Sequence, residues 1–185
     1  SQLIAGGKFD SADGSLARAV ATWNGSSWSA MSNGLGIGLS SEAVYSLTVF
    51  QTKLYAGGVF LLEQFTSENM NHVAVYNGTW SALDVGVDNY FSPGEEVHAL
   101  VEYSSELVVG GYFQDASGTP AKNIASWSGT SWSALGAGTN GDIIVMAMYG
   151  SQLIVGGDFG TVAGVARWRD RRLEPRRPLQ RVGDQ

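Results

Sequence analysis

Few residues in this chain carry the side chains from which catalysis or metal binding is usually built. His72 and His98 are the only histidines, and Glu95–Glu96 is the only adjacent pair of acids. A carboxylate pair can serve as general acid and base, but neighbours in a polar loop are normally solvated one by one. No Ser, His and Asp stand at a spacing that argues for nucleophilic catalysis. Cysteine is absent, which excludes disulfides and thiolate-held metals. Asp10–Gly14, DSADG, has the opening of a calcium loop without its remaining ligand positions, so a turn is expected. The expectation is no catalytic residue, no metal and no cofactor.

The elements that would position any site are repeated, and repeats are read before anything else. LIAGGKF (Leu3–Phe9) returns as LYAGGVF (Leu54–Phe60), LVVGGYF (Leu107–Phe113) and LIVGGDF (Leu153–Phe159). After each comes a Trp or Tyr segment with a tight turn: ATWNGSSWSAM, AVYNGTWSAL, ASWSGTSWSAL and finally VARW. Before each of the last three comes an apolar run: VYSLTVF, VHALVEY or IIVMAMY. These segments are short, β-branched and aromatic, and bounded by Gly, Asn and Ser, so they read as strands. Gly after Asn or Ser supplies the turn of a hairpin. One unit is therefore a strand a (VYSLTVF), b (LYAGGVF), c (HVAVYN) and d (TWSAL). Strand a lacks alternation, which suits burial on both faces. The 25 glycines and six tryptophans fit an all-β chain rich in tight turns. No run of 18 apolar residues occurs, so no membrane span is expected.

Four antiparallel strands per repeat of about 50 residues is the unit of a β-propeller blade. An apolar strand ending in Gly-Gly and followed by a Trp strand resembles the kelch-type propellers, which include that of galactose oxidase. It is similar to LYVGGxF…IAxWxGxxWSxLG repeats of bacterial secreted proteins and fungal cell-polarity cortical markers. The resemblance covers Leu3–Trp168 and implies an all-β partial propeller of about three and a half blades, with units near 1–43, 44–96, 97–142 and 143–168. It implies a secreted or cell-surface protein. A galactose-oxidase-like copper site is not carried over, because its Cys-linked Tyr has no counterpart. The repeated aromatics, Trp127 among them, are expected to pack between units rather than to stack sugars.

Residues 169–185 break the repeat. Up to Trp168 there are three Lys and two Arg against fourteen acids; beyond it there are six Arg and three acids. Where the fourth strand d is due, RDRRLEPRRPLQ arrives. One GC-rich back-translation of Trp168–Pro175, displaced by a base, reads Gly-Gly-Thr-Ala-Ala-Trp-Ser-Pro, close to the missing strand. The segment is expected to be disordered or frameshifted. A nucleic-acid arm fits less well, because the segment lacks stacking aromatics and the body is acidic; no nucleic-acid partner is expected. Fourteen strands fall short of a closed ring, so the chain is expected to be either a fragment of a larger ring or a half that associates with a second copy.

Function is expected in the variable b–c and d–a links, because variable loops on a rigid scaffold are where binding concentrates. Twelve of the fourteen acids before residue 169 lie in or beside them. The candidate contact residues are Asp88, Tyr90, Phe91, Glu95 and Glu96 in one link, with Glu63, Glu68 and His72 in another. His98, on strand a, is expected to be a packed core residue. The expected function is a non-catalytic binding module for a basic protein or peptide. The other reading is a fragment of a propeller enzyme or carbohydrate-binding protein whose active residues lie outside this chain.

Overall fold

The computed structural model describes residues 2–36, 41–60, 72–88 and 94–163, and these form twenty strands without a helix. The first unit comprises β1 (Leu3–Gly6), a small hairpin β2 (Ser11–Ala12) and β3 (Ser15–Leu16), then β4 (Val20–Trp23) and β5 (Trp28–Ala30). The second runs β6 (Ala43–Phe50), β7 (Lys53–Val59), β8 (Val73–Tyr76) and β9 (Trp80–Ala82). After β10 (Val87–Asp88) come β11 (Glu96–Tyr103), β12 (Glu106–Tyr112), the hairpin β13 (Asp115–Ala116) and β14 (Thr119–Pro120), β15 (Ile124–Trp127) and β16 (Trp132–Ala134). Then follow β17 (Gly138–Thr139), β18 (Asp142–Tyr149), β19 (Gln152–Asp158) and β20 (Val162–Ala163).

The chain is all-β, in several antiparallel sheets. Two are four-stranded meanders, β6-β7-β8-β9 and β11-β12-β15-β16; β1-β4-β5 has three strands and β18-β19 two. Thirteen of the fourteen strands expected from the repeat are thus in place, and the fourteenth, at 164–168, lies outside the described residues, as does 169–185. Consecutive sheets pack on one another: β11 lies against β6 and β7, and β18 against β11 and β12.

The Gly-Gly pairs explain how closely. A Cβ on Gly57 would overlap Val97 Cγ1 of the following sheet, and one on Gly6 would crowd Val44 in the same way. The second glycine works within its own sheet. A Cβ on Gly58 or Gly111 would overlap the carbonyl oxygen of Ala43 or Glu96, where strand a begins. Beside that carbonyl each strand a has a bulge: the register slips between Val44 and Ser46, Val97 and Ala99, and Ile143 and Val145. Such a bulge leaves one residue out of the ladder, here Tyr45, His98 or Ile144.

Indoles tie the sheets together. Trp80 Nε1 donates to Met31 O at 3.2 Å and Trp132 Nε1 to Leu83 O at 3.0 Å, each reaching back one unit. Trp80, Trp127 and Trp132 are all buried, so they pack between sheets. The links expected to vary freely add a second tie: β10 pairs with β13 of the next unit, and β17 with β20. Strand a departs from its expected burial in β6, where Tyr45 and Val49 are 49% and 62% exposed, and more widely in β18. In β18, Ile144, Val145, Met148 and Tyr149 are between 40% and 76% exposed, because no described sheet lies beyond this one.

Candidate functional site

The bulges set up the site. Because Tyr45 and His98 are the extra residues at one position of successive sheets, they meet: their rings stack at 5.2 Å between centroids and 23° between planes. Glu96 lies two residues before His98, and across the bulge their side chains meet. Asp142 begins β18 as Glu96 begins β11. His98 Nε2 lies 3.3 Å from both Glu96 Oε2 and Asp142 Oδ2. Three sheets therefore contribute to one cluster. His98 is only part-buried, its side chain 20% exposed, which corrects the expectation of a packed core residue. The bulge that takes it out of the ladder also takes it out of the core.

One imidazole faces two carboxylates, so acidic groups outnumber basic ones in the cluster. The field shows at Tyr45, whose hydroxyl pKa is pushed up, first by burial and then by the Glu96 charge. At 3.3 Å the contacts are longer than tight charge-assisted bonds of 2.7–2.9 Å. Each carboxylate also has lone pairs beyond the one that faces His98. Asp142 Oδ1 is enclosed and meets no hydrogen-bond donor among the described residues. Among those residues no group of three or more His, Asp and Glu is arranged to hold a metal ion, and no helix is long and apolar enough to cross a membrane.

The sequence-predicted residues divide. Glu95 and Glu96 stand at the start of β11 but face different partners: Glu96 meets His98, and Glu95 Oε2 lies 4.0 Å from His72 Nε2. Both side chains of the His72–Glu95 pair are about one-tenth exposed, so His72 is enclosed rather than presented. His72 has φ +65°, as does Asn123 at the same place in the next unit. Asn123 there accepts from Phe113 N–H and donates to Thr139 O, both at 3.1 Å, which identifies the position as a bracket between links. Asp88 is placed by its backbone in β10, opposite Asp115. Glu63, Glu68, Tyr90 and Phe91 lie outside the described residues.

Two acids from the variable links accept from backbone amides of their own unit. Asp13, at φ +48° in the β2–β3 turn, accepts from Trp28 N–H, and Asp115 Oδ1 accepts from Gly118 N–H. DSADG is thus a turn. Sequence reasoning missed Tyr45 and Asp142 as partners of Glu96 and His98. The signal was available, since residues at one repeat position in successive units become neighbours when the sheets stack. Comparisons with protein-family models, curated proteins and solved structures give no match.

Proposed function

We propose that the chain is a non-catalytic binding module of a secreted or cell-surface protein, built as a partial kelch-like propeller of about three and a half blades. Its contact surface centres on the rim where the a strands begin, and its partner is a basic protein or peptide. The observation that carries this reading is the convergence of Glu96, His98 and Asp142 from two sheets beside the half-exposed Tyr45 ring. A lysine or arginine brought there would find carboxylates with spare acceptor capacity and an aromatic face, the pairing that favours a bound cation. The blade reading is supported by the order of packing, sheet upon sheet along the chain, and by the glycines that allow it. Association with a second copy is part of the proposal and is supported by the exposed apolar residues of β18.

The test is titration of a short lysine–arginine peptide into the wild type and a Glu95→Gln/Glu96→Gln/Asp142→Asn variant across a salt series. The reading predicts binding that weakens with salt and is lost in the variant. Equal binding by both, or none by either, contradicts it.

A further inference from the structure

Four Asn-Gly steps occur in the chain: Asn24-Gly25, Asn33-Gly34, Asn77-Gly78 and Asn140-Gly141. Asparagine is chemically labile, most of all before glycine, whose unhindered amide nitrogen can attack the side-chain carbonyl carbon. The fold restrains three of the four. Asn24 Oδ1 accepts from Ser26 N–H at 2.9 Å and Ser27 N–H at 3.0 Å, and its Nδ2 donates to Ser27 Oγ at 3.2 Å. Asn140 Oδ1 accepts from Gly160 N–H and Thr161 N–H at 2.9 and 2.8 Å. After Asn33 the attacking nitrogen is itself engaged. Gly34 N–H donates to Met31 O at 3.2 Å, and a Cβ on Gly34 would overlap Arg18 and the Ala17 carbonyl, so this peptide has no room to turn.

Asn77 is the exception. Its side chain is exposed and makes no hydrogen bond among the described residues, and Gly78 N–H makes none either. Gly78 stands at φ +86° with open space where a Cβ would be. Loop length is the cause. Strands β4 and β5 are joined by Asn-Gly-Ser-Ser and β15 and β16 by Ser-Gly-Thr-Ser, whereas β8 and β9 are joined by Asn-Gly-Thr. The fourth residue of each longer loop gives its amide to the side chain of the first: Ser27 N–H to Asn24 Oδ1, and Ser131 N–H to Ser128 Oγ at 3.1 Å. In the second hairpin the residue after Thr79 is Trp80, already in the ladder opposite Tyr76. No fourth loop residue reaches back to Asn77.

We propose that Asn77 is a site of spontaneous covalent modification by water, converting to isoaspartate and aspartate while the other three asparagines persist. The Gly78 nitrogen attacks Asn77 Cγ. The N–Cγ bond forms, the Cγ–Nδ2 bond breaks, and Nδ2 leaves as ammonia with the proton that Gly78 gave up. The product is a five-membered succinimide. Water then opens the ring at either carbonyl, giving aspartate at one and, at the other, isoaspartate with the main chain running through Cβ. No oxidant, enzyme or cofactor enters the balance. The outcome is one more carboxylate and, in isoaspartate, one extra main-chain carbon in the shortest of the three hairpin loops. Trp80 lies just beyond, and its indole is the tie to Met31 of the first unit. The change therefore falls beside the join of the first two sheets. The site is separate from the acidic rim and does not rest on that reading.

The test incubates the whole chain in mildly alkaline buffer below its melting temperature and follows each asparagine by peptide mapping that separates aspartate from isoaspartate. Product at Asn77 should form about tenfold faster or more than at Asn24, Asn33 or Asn140, the scale on which lost attack geometry slows a ring closure. In denaturant the four steps should react at similar rates, because each is then an unrestrained Asn-Gly; this control needs no variant. An exchange of loops supplies the second arm. Replacing Thr79 with Ser-Ser should slow Asn77 about tenfold, and replacing Ser26-Ser27 with Thr should speed Asn24 by a like factor. Equal native rates at Asn24 and Asn77, a faster reaction at Asn33 or Asn140, or rates indifferent to the loop exchange overturn the proposal. So does a native ranking that persists in denaturant, because that result would assign it to the sequence rather than to the fold.

Discussion

The first and third sheets are built from the same sequence elements, yet they differ in what covers them. In the third, Trp127 and Trp132 are buried, Leu107 is fully enclosed, and the Trp132 indole reaches the carbonyl of Leu83 in the sheet before. In the first, Trp23 and Trp28 are only half-buried and Leu3 is largely exposed. Among the described residues, no earlier sheet accepts from Trp28 and no strand a pairs with β1. One motif thus yields a core or a surface according to its neighbours. Stability in such an arrangement is a sum of unit terms and nearest-neighbour interfaces, and the contrast predicts that the interfaces carry the larger share.

The largest expected effect divides the two sheets. Trp132→Ala should cost about 3–5 kcal/mol as a buried large-to-small change, and Trp127→Ala a similar amount. Trp28→Ala should cost only about 1 kcal/mol, in keeping with its partial burial. Chemical denaturation of the three variants checks this; a loss of a few tenths at Trp127 would mean an accessible ring. Next comes the glycine pair. Gly111→Val must displace the Glu96 carbonyl and should cost about 3 kcal/mol, whereas Gly7→Val should change stability by less than about 0.5 kcal/mol. Equal losses at the two sites would contradict the contrast between a filled and an open edge.

How far this was readable beforehand varies by element. The Gly-Gly and Trp positions recur at a fixed place in each unit, so the strands and their order followed directly from the sequence. The bulges did not, because nothing in VYSLTVF or VHALVEY distinguishes the residue that leaves the ladder; backbone contact with the second glycine decides it. Nor did the β10–β13 and β17–β20 pairings, since two-residue strands in unlike links carry no periodic signal. At the site, Glu96 was anticipated as a contact residue. Its partners were not, because their proximity to it arises only when the sheets stack.

A smaller effect sharpens the picture from the second sheet. Tyr55 is enclosed, and burial pushes its hydroxyl pKa above 10.0, partly offset by a hydrogen bond with Trp127. A folded-state pKa above the unfolded one gives stability that is fully present below pH 10 and is lost as pH rises through the folded value. Denaturation midpoints should therefore fall above about pH 10, and Tyr55→Phe should reduce that fall. An unchanged alkaline slope in the variant would remove Tyr55 from the account.

Hydrogen exchange, read strand by strand, tests most directly the claim that neighbouring sheets rather than the motif itself confer stability. The account predicts slowest exchange in β12 and β15, whose sheet is covered on both faces, and faster exchange at the equivalent positions of β1 and β4. For the Gly7 and Gly111 amides, which make the same backbone bond to Ala19 and Asn123 at 3.0 and 3.1 Å, protection should differ despite identical local geometry. Equal protection at Gly7 and Gly111 would contradict it.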